Sequence, residues 1–365
     1  MRVGYTGNLD HQNARVWIQE LEARGVEPVA IAEQEPAWAI EWAPLVITPP
    51  RVRGLGLGRL AIARSFAELC ASRRIDLLHS HEVRRHAFWA RSSGFRPRMV
   101  TCWGSDVLRL ALKPLGHRLQ VRRALSTADA VTVGSQHLLE AAVSAGAQRD
   151  ACALIGWGVD TDRFRPDPVV RERMRAEWGF SDRIVVLSTR RLHPLYRVGS
   201  IIRAVAIARK TEPRLALVIV GDGPEYEGLR HVADEVGLAG SVAFMGGIWS
   251  DEWPSMPDVQ MGADLCCSVP ETDGGPLSVL EAMAAALPIV TTDVPVMREW
   301  VADTGAGRLW TGDDEAELAH LILGVLPSAS AMGQSGRDYV VRRHRRADEM
   351  DRVFALYESL ARTRA

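Results

Sequence analysis

The sequence predicts an α/β chain made of two doubly wound parallel-sheet domains, and three observations carry that prediction. Short apolar runs of strand length alternate with longer amphipathic stretches along the chain, as strands covered by helices on both faces do. The alternation is interrupted once, by a polar stretch with two prolines near residue 160, and then begins again. The length of 365 residues, 47% of them hydrophobic, also exceeds what one ordinary core absorbs.

The runs Val3–Tyr5, Val29–Ile31, Ile75–His79, Met99–Thr101, Ala130–Val133 and Cys152–Ile155 read as strands of a first sheet. A second sheet reads from Arg183–Ser188, Leu215–Val220, Ser241–Met245, Asp264–Ser268 and Ile289–Thr291. Between them, Asp160 to Pro168 suits an interdomain linker. No strand is expected at the end of the chain. Ala347 to Ala361 instead places Met350, Val353, Phe354, Tyr357 and Leu360 on one side of a helix. The expected division is 1–165 and 166–343, with a helix at about 344–365 packing back on the first domain. In such sheets ligands lie beyond the carboxyl ends of the strands, so the two domains are expected to face each other across a ligand-holding cleft.

Composition excludes several classes. A charged fraction of 24% with a net charge of −1 is that of a globular protein and not of a disordered chain or a nucleic-acid coat. The five cysteines are scattered and form no Cys-x-x-Cys pair, so neither a zinc knuckle nor thiol exchange is expected. No run of about 20 apolar residues is present, and Arg2-Val3-Gly4-Tyr5 does not open a secretion signal. The expectation is therefore a cytoplasmic protein. Only Lys113 and Lys210 are lysines, so an anion site must rely on arginine forks and backbone N–H groups.

The most informative segment runs from Pro270 to Ala284. It leaves a strand, turns through Gly274 and Gly275, and enters a helix near Pro276, where a missing N–H is no loss. A helix start reached through glycines exposes free N–H groups and the positive end of the helix dipole, which together cradle phosphate. Asp273 precedes that helix and Glu281 lies inside it. Carboxylates so placed accept hydrogen bonds from sugar hydroxyls.

Asp273-x7-Glu281, with Leu-Ser-Val-Leu-Glu-Ala-Met between, resembles the Glu-x7-Glu motif of the retaining glycosyltransferases of family 4, which have the GT-B fold. Three further segments resemble that family in its order: Ile155-Gly156-Trp157-Gly158-Val159-Asp160, Thr189 through Arg197, and Gly221-Asp222-Gly223-Pro224 with the strand that ends in Met245-Gly246. The resemblance implies metal-independent transfer of a sugar, with retention, from a nucleotide diphosphate donor. A UDP- or GDP-sugar is expected, with no further cofactor. It gives Glu281 the ribose hydroxyls, Asp273 the transferred sugar, Arg191 and Arg197 the diphosphate, and the N–H groups of Leu277 and Ser278 its helix-end contacts. Gly275 belongs to the same turn, the base is expected at the backbone around Gly247 and Ile248, and Gly7 would let ligand approach the first strand. Metal independence rests on these arginine and N–H partners, with no Asp-x-Asp pair of the metal-bridging kind expected to serve.

The chain departs from the family's pattern at three points. The first acid is an aspartate, and Glu271 competes with Asp273 for the role. Arg197 stands where the family has lysine. Trp103 occupies the place of a histidine, which leaves His81, with His79 as the alternative, as the histidine near the sugar. Of the tryptophans, Trp17 and Trp89 read as core, whereas Trp103, Trp157 and Trp249 stand near loops where stacking on a ring is an option. Two other readings remain open: a nucleotide-sugar 2-epimerase of the same fold, and a non-catalytic binding subunit. The acceptor is a small molecule, a glycan or a lipid-linked group, and no nucleic acid is expected. Between Arg51 and Arg123, 16 basic residues face 4 acidic ones. Leu55, Leu57, Leu60 and Ile62 alternate there with Arg53, Arg59 and Arg64, which suggests an anionic partner, either a phosphate-bearing acceptor or, by peripheral contact, an acidic membrane face.

Overall fold

A computed structural model describes residues 1–7, 12–32, 45–46, 57–83, 85–248 and 252–362. The chain divides into two units, one of Met1–Trp157 with Glu349–Ala365, the other of Gly158–Asp348.

The first unit holds seven strands: β1 (Arg2–Thr6), β2 (Glu27–Ala32), β3 (Leu45–Val46), β4 (Leu77–His81), β5 (Arg98–Thr101), β6 (Ala130–Val133) and β7 (Cys152–Leu154). They lie in the order β3-β2-β1-β4-β5-β6-β7, every neighbouring pair parallel. The second unit holds β8 (Ile184–Ser188), β9 (Leu215–Ile219), β10 (Val242–Phe244), β11 (Leu265–Ser268), β12 (Ile289–Thr292) and β13 (Gly307–Trp310), in the order β10-β9-β8-β11-β12-β13 and again all parallel. Each unit is therefore a doubly wound sheet, the architecture expected. The central strands carry no polar alternation: all five residues of β9 are buried, because helices cover both faces.

Two strands escape a reading by apolar runs. β3 is two residues long, and β13 is entered through Gly305 and Gly307. Gly307 is required there: a Cβ at this position would lie 1.8 Å from the Ile289 carbonyl oxygen of β12. A strand selected for backbone closeness shows little apolar signal.

The stretch 160–168, which reads as a linker, lies inside the second unit. Asp160 Oδ1 accepts the N–H groups of Asp162 and Arg163, and the Arg337 guanidinium donates to the carbonyls of Phe164, Thr161 and Ala284. Asp167 then caps helix Pro168–Trp178, which ends at Gly179 in the left-handed conformation. The last helix, Arg346–Arg362, buries Met350, Val353, Tyr357 and Leu360 in the first unit's core with Val3, Tyr5 and Trp17. Trp17 and Trp89 are buried as core residues. The helical stretch Glu315–Arg343 is long and apolar enough to cross a membrane, but Leu318, Ala319, Ile322 and Val325 within it are buried in the second unit's core.

Candidate functional site

In the second sheet the strand order reverses between β8 and β11. The connections leaving these strands run to opposite sides, which opens a crevice at their carboxyl ends. Ser188 and Ser268, the last residues of the two strands, are buried there, and neither hydroxyl has a partner among the described residues. Two loops border the crevice, residues 189–197 after β8 and 269–276 after β11. Glu271 N–H donates to the Leu195 carbonyl at 2.9 Å and ties one to the other. Gly221 and Gly223 support the first loop from below. Their φ angles are 147° and 151°, and a Cβ on either would stand 2.2 Å from the carbonyl oxygen of Arg190 or Leu192. Only glycine lets that loop settle so closely.

The second loop delivers the chain into helix Leu277–Ala284 through Pro276, and no side chain caps this start. The N–H groups of Leu277 and Ser278 have no partner among the described residues. Gly275 sits at φ 129° over the Trp300 ring, where a Cβ would approach within 2.9 Å. The turn that aims the helix end at the crevice is thus fixed by a buried tryptophan beneath it.

Three arginines and three carboxylates stand on the two loops and on this helix. Arg190, which the sequence reading passed over, is buried at the end of β8. It donates to Asp273 Oδ2 at 2.6 Å and to Ser278 Oγ at 3.4 Å, with the Tyr196 ring 4.3 Å from its guanidinium carbon. Asp273 Oδ1 also accepts the Gly275 N–H at 3.2 Å. Arg191 is exposed, and its guanidinium makes no hydrogen bond among the described residues. Arg197, at φ 48°, is placed differently from Arg191. It donates to the carbonyls of Val269, Gly312 and Pro270 and to Thr292 Oγ1 at 3.0–3.2 Å, and it lies over the Trp310 ring. Those bonds bind the ends of β11, β12 and β13 and leave the guanidinium little capacity for a ligand. Glu271 is exposed.

Glu281 is half-buried on the same helix and makes no hydrogen bond among the described residues. Burial pushes its carboxyl up to about 7, against the opposing pull of the Arg346 and Arg163 charges. Asp160-Thr161-Asp162 has literal Asp-x-Asp spacing, and the Asp160 carboxylate is spent on its own turn. No group of three metal-binding side chains occurs among the described residues. Gly247 and Ile248 follow β10, with Ile248 partly buried against the second unit's core, and Trp249 lies outside the described residues.

In the first sheet the order reverses between β1 and β4. Period two puts His79 and His81 on one face of β4, both fully buried. His79 is fastened at both ring nitrogens, Nδ1 to Tyr357 Oη at 2.6 Å and Nε2 to Thr101 Oγ1 at 2.7 Å, and burial lowers its pKa to about 3. That is a structural strut. His81 is stacked on Tyr5 with ring centres 4.6 Å apart, meets Trp17 and Trp157 edge-on or tilted, and accepts the Trp103 indole N–H at 3.3 Å. Trp103 is thereby tied to His81. Gly7 follows β1, and a Cβ there would stand 3.1 Å from His81 Cβ. Asn8 beyond it lies outside the described residues.

Two doubly wound units, one of them with a phosphate-suited helix end at its switch point, define a sugar-nucleotide-type transferase of the GT-B fold. Two family models match in tandem: Glycosyltransferase Family 4 over residues 14–163 and Glycosyl transferases group 1 over residues 170–337. A GDP-mannose-dependent alpha-(1-6)-phosphatidylinositol monomannoside mannosyltransferase of Mycolicibacterium smegmatis is 33% identical over 264 residues, covering 69% of this chain and 67% of that one. Its namesake from Mycobacterium tuberculosis is 29% identical over 329 residues, 87% of this chain and 74% of that one. Among solved structures, Anabaena HepE in complex with UDP and glucose superposes with a TM-score of 0.82 at 19% identity, covering 99% of this chain and 100% of that one. Sucrose-phosphate synthase from Thermosynechococcus elongatus superposes at 0.81 with 18% identity, covering 99% of each chain. These likenesses share the fold. The chain belongs to glycosyltransferase family 4 and is a glycosyltransferase.

Proposed function

We propose that the enzyme transfers a sugar from a nucleotide diphosphate donor with retention and without a divalent metal, the donor being held by the second unit. The carrying observation is the uncapped start of helix Leu277–Ala284 at the switch point of β8 and β11, with Arg191 exposed on the loop that follows β8 and without a hydrogen bond among the described residues. As the C1–oxygen bond to the diphosphate breaks, negative charge grows on the phosphate. The N–H groups of Leu277 and Ser278 and the Arg191 guanidinium are the groups on hand to meet it, without a metal as intermediary. Glu281, half-buried and without a hydrogen bond among the described residues, would accept those of the ribose hydroxyls. Asp273, with its position fixed by Arg190, borders the transferred sugar. Arg197 braces the loop.

The base and the sugar are not written in these side chains. GDP-mannose is the first donor to test, because two of the relatives above are named for it. The same names point to a lipid-linked acceptor, with a soluble glycan or small molecule as the alternative. The test is nucleotide release from GDP-mannose and a panel of UDP-sugars, with and without chelator, followed by NMR of the glycosidic product. The expected result is release that persists in excess chelator and a product with the donor's anomeric configuration. Inversion, or activity lost to chelator and restored by magnesium, overturns the proposal. Free nucleotide formed together with an altered sugar, in the absence of acceptor, would mean an epimerase instead.

A further inference from the structure

In the second unit, the loop that leaves β10 is held at both ends by one helix. β10 is an edge strand, and the chain runs on from it through Met245, Gly246, Gly247 and Ile248 before it enters helix Met256–Gly262, whose start is closed by a capping box between Ser255 and Asp258. At the near end of the loop, helix Pro168–Trp178 reaches in with Trp178, whose indole N–H donates to Met245 Sδ at 2.9 Å. Gly262 makes room for that ring, since a Cβ there would stand 2.5 Å from it. At the far end Trp253 faces Arg173, the guanidinium carbon 3.5 Å from the ring centre, and it donates its indole N–H to Glu177 Oε1 at 2.7 Å. Arg173 and Glu177, one helical turn apart, pair with each other at 3.4 Å. The three groups form a closed clasp: a cation over a ring, the ring N–H on a carboxylate, and the carboxylate on the cation.

The clasp contributes little to overall stability, because Arg173 and Glu177 are 59% and 42% exposed and pairs so exposed are screened by water. What it fixes is the course of the loop. The Gly246 carbonyl accepts the Gly221 N–H at 2.8 Å, and Gly221 with Gly223 supports the loop that carries Arg191. The Leu192 N–H adds a bond to the Asp222 carbonyl, also at 2.8 Å. Backbone contacts therefore join the loop after β10 to a loop that borders the crevice between β8 and β11. Ile248 and Trp253 both pack against the unit's core.

We propose that Arg173, Glu177 and Trp253 are positioning residues for the base of the donor: by holding the loop after β10 they set the backbone groups at Gly247 and Ile248 against which the base is read. This rests on the reading of the second unit as the donor site. Backbone N–H and C=O groups discriminate between bases only by where they stand, since guanine, adenine and uracil differ in the order of donors and acceptors along their edges. A displacement of about 1 Å is enough to change such a match. The clasp belongs to the second unit; the basic segment 51–62 of the first lies outside the described residues in its first half and in its side chains.

The experiment is calorimetric titration of the full chain with GDP, UDP and ADP, with thermal melts in parallel. Wild type is expected to prefer one of the three by about fivefold or more. Trp253→Leu and Arg173→Gln should each weaken the preferred diphosphate about tenfold and the other two by less than about twofold, so that the preference collapses. Their melting temperatures should stay within about 2 °C of wild type, as befits an exposed clasp. Trp253→Phe, which keeps a ring beside the cation, and Arg173→Lys, which keeps the cation, should retain the preference. An unchanged preference in Trp253→Leu and Arg173→Gln, a loss shared equally by all three diphosphates together with a lowered melting temperature, or equal damage from the conservative variants overturns the proposal. So does a wild type that binds all three alike. A wild type that binds none of them removes the donor site from the second unit, and the proposal falls with that reading.

Discussion

Arg190 donates from Nη2 to Asp273 Oδ2 at 2.6 Å, and the two side chains are only 9% and 14% exposed. This pair joins the loop after β8 to the turn that aims helix Leu277–Ala284. Asp273 is thereby selected over Glu271 as the acid fixed at the crevice, since Glu271 stands in solvent. Removing one member of a buried pair leaves the other uncompensated, at a cost of about 3 kcal/mol. Asp273→Asn is therefore expected to lower stability by that order and turnover by tenfold or more. Glu271→Gln should stay within about twofold of wild type. Steady-state rates and thermal melts of the two variants check this, and equal damage from both would show the acids to be misassigned.

Glu281 carries a pH signature. Its carboxyl, raised to about 7 by burial, is uncharged in the folded protein over a range where an unfolded chain has already ionised it. The stability held by the neutral form is complete below the ordinary carboxyl range and is lost as pH rises to about 7. Ribose hydroxyls prefer to donate to the ionised carboxylate, so nucleotide affinity should increase as pH passes upward through that value. Calorimetric titration of the nucleoside diphosphate across this interval is the measurement. Glu281→Gln should flatten the profile and weaken binding at the alkaline end; a wild-type profile already flat would remove Glu281 from the donor site.

For Arg197 the expected defect is structural before it is catalytic. Arg197→Ala would orphan the carbonyls of Val269, Pro270 and Gly312 at the ends of two strands. Each unsatisfied group costs about 1–3 kcal/mol where water does not reach it. A melting temperature lowered by several degrees, with activity lost in step, is the expected outcome. A variant that melts normally yet binds no nucleotide would return Arg197 to the diphosphate.

His79 provides a test in the first unit. Held neutral by burial down to about pH 3, it resists the proton that an unfolded histidine takes up near 6.5. Stability should therefore fall as pH drops from about 6.5 to about 3. His79→Leu should lose that component of the acid sensitivity while lowering stability at neutral pH, because the Thr101 and Tyr357 hydroxyls each lose a partner. Urea melts along a pH series separate the two effects.

The sequence by itself determined the doubly wound class, eleven of the thirteen strands, the helix start behind Gly274 and Gly275, and the family. Each is a local pattern: apolar runs of strand length, glycine before a helix, acids at fixed spacing. Tertiary structure decided how the charged groups are used. Arg190, Arg191 and Arg197 are the same residue type within one loop, and no spacing rule separates them. Their neighbours do: a buried carboxylate holds the first, solvent surrounds the second, and three strand ends claim the third. His79 and His81 divide in the same way, because the partners of His79 come from β5 and the last helix, 22 and 278 residues away. β13 was hidden for a related reason, its glycine being required by the Ile289 carbonyl of a neighbouring strand and not by anything in its own segment. Elements are encoded by contacts close in sequence, whereas the role of an ionisable side chain depends on contacts that exist only once the chain has folded.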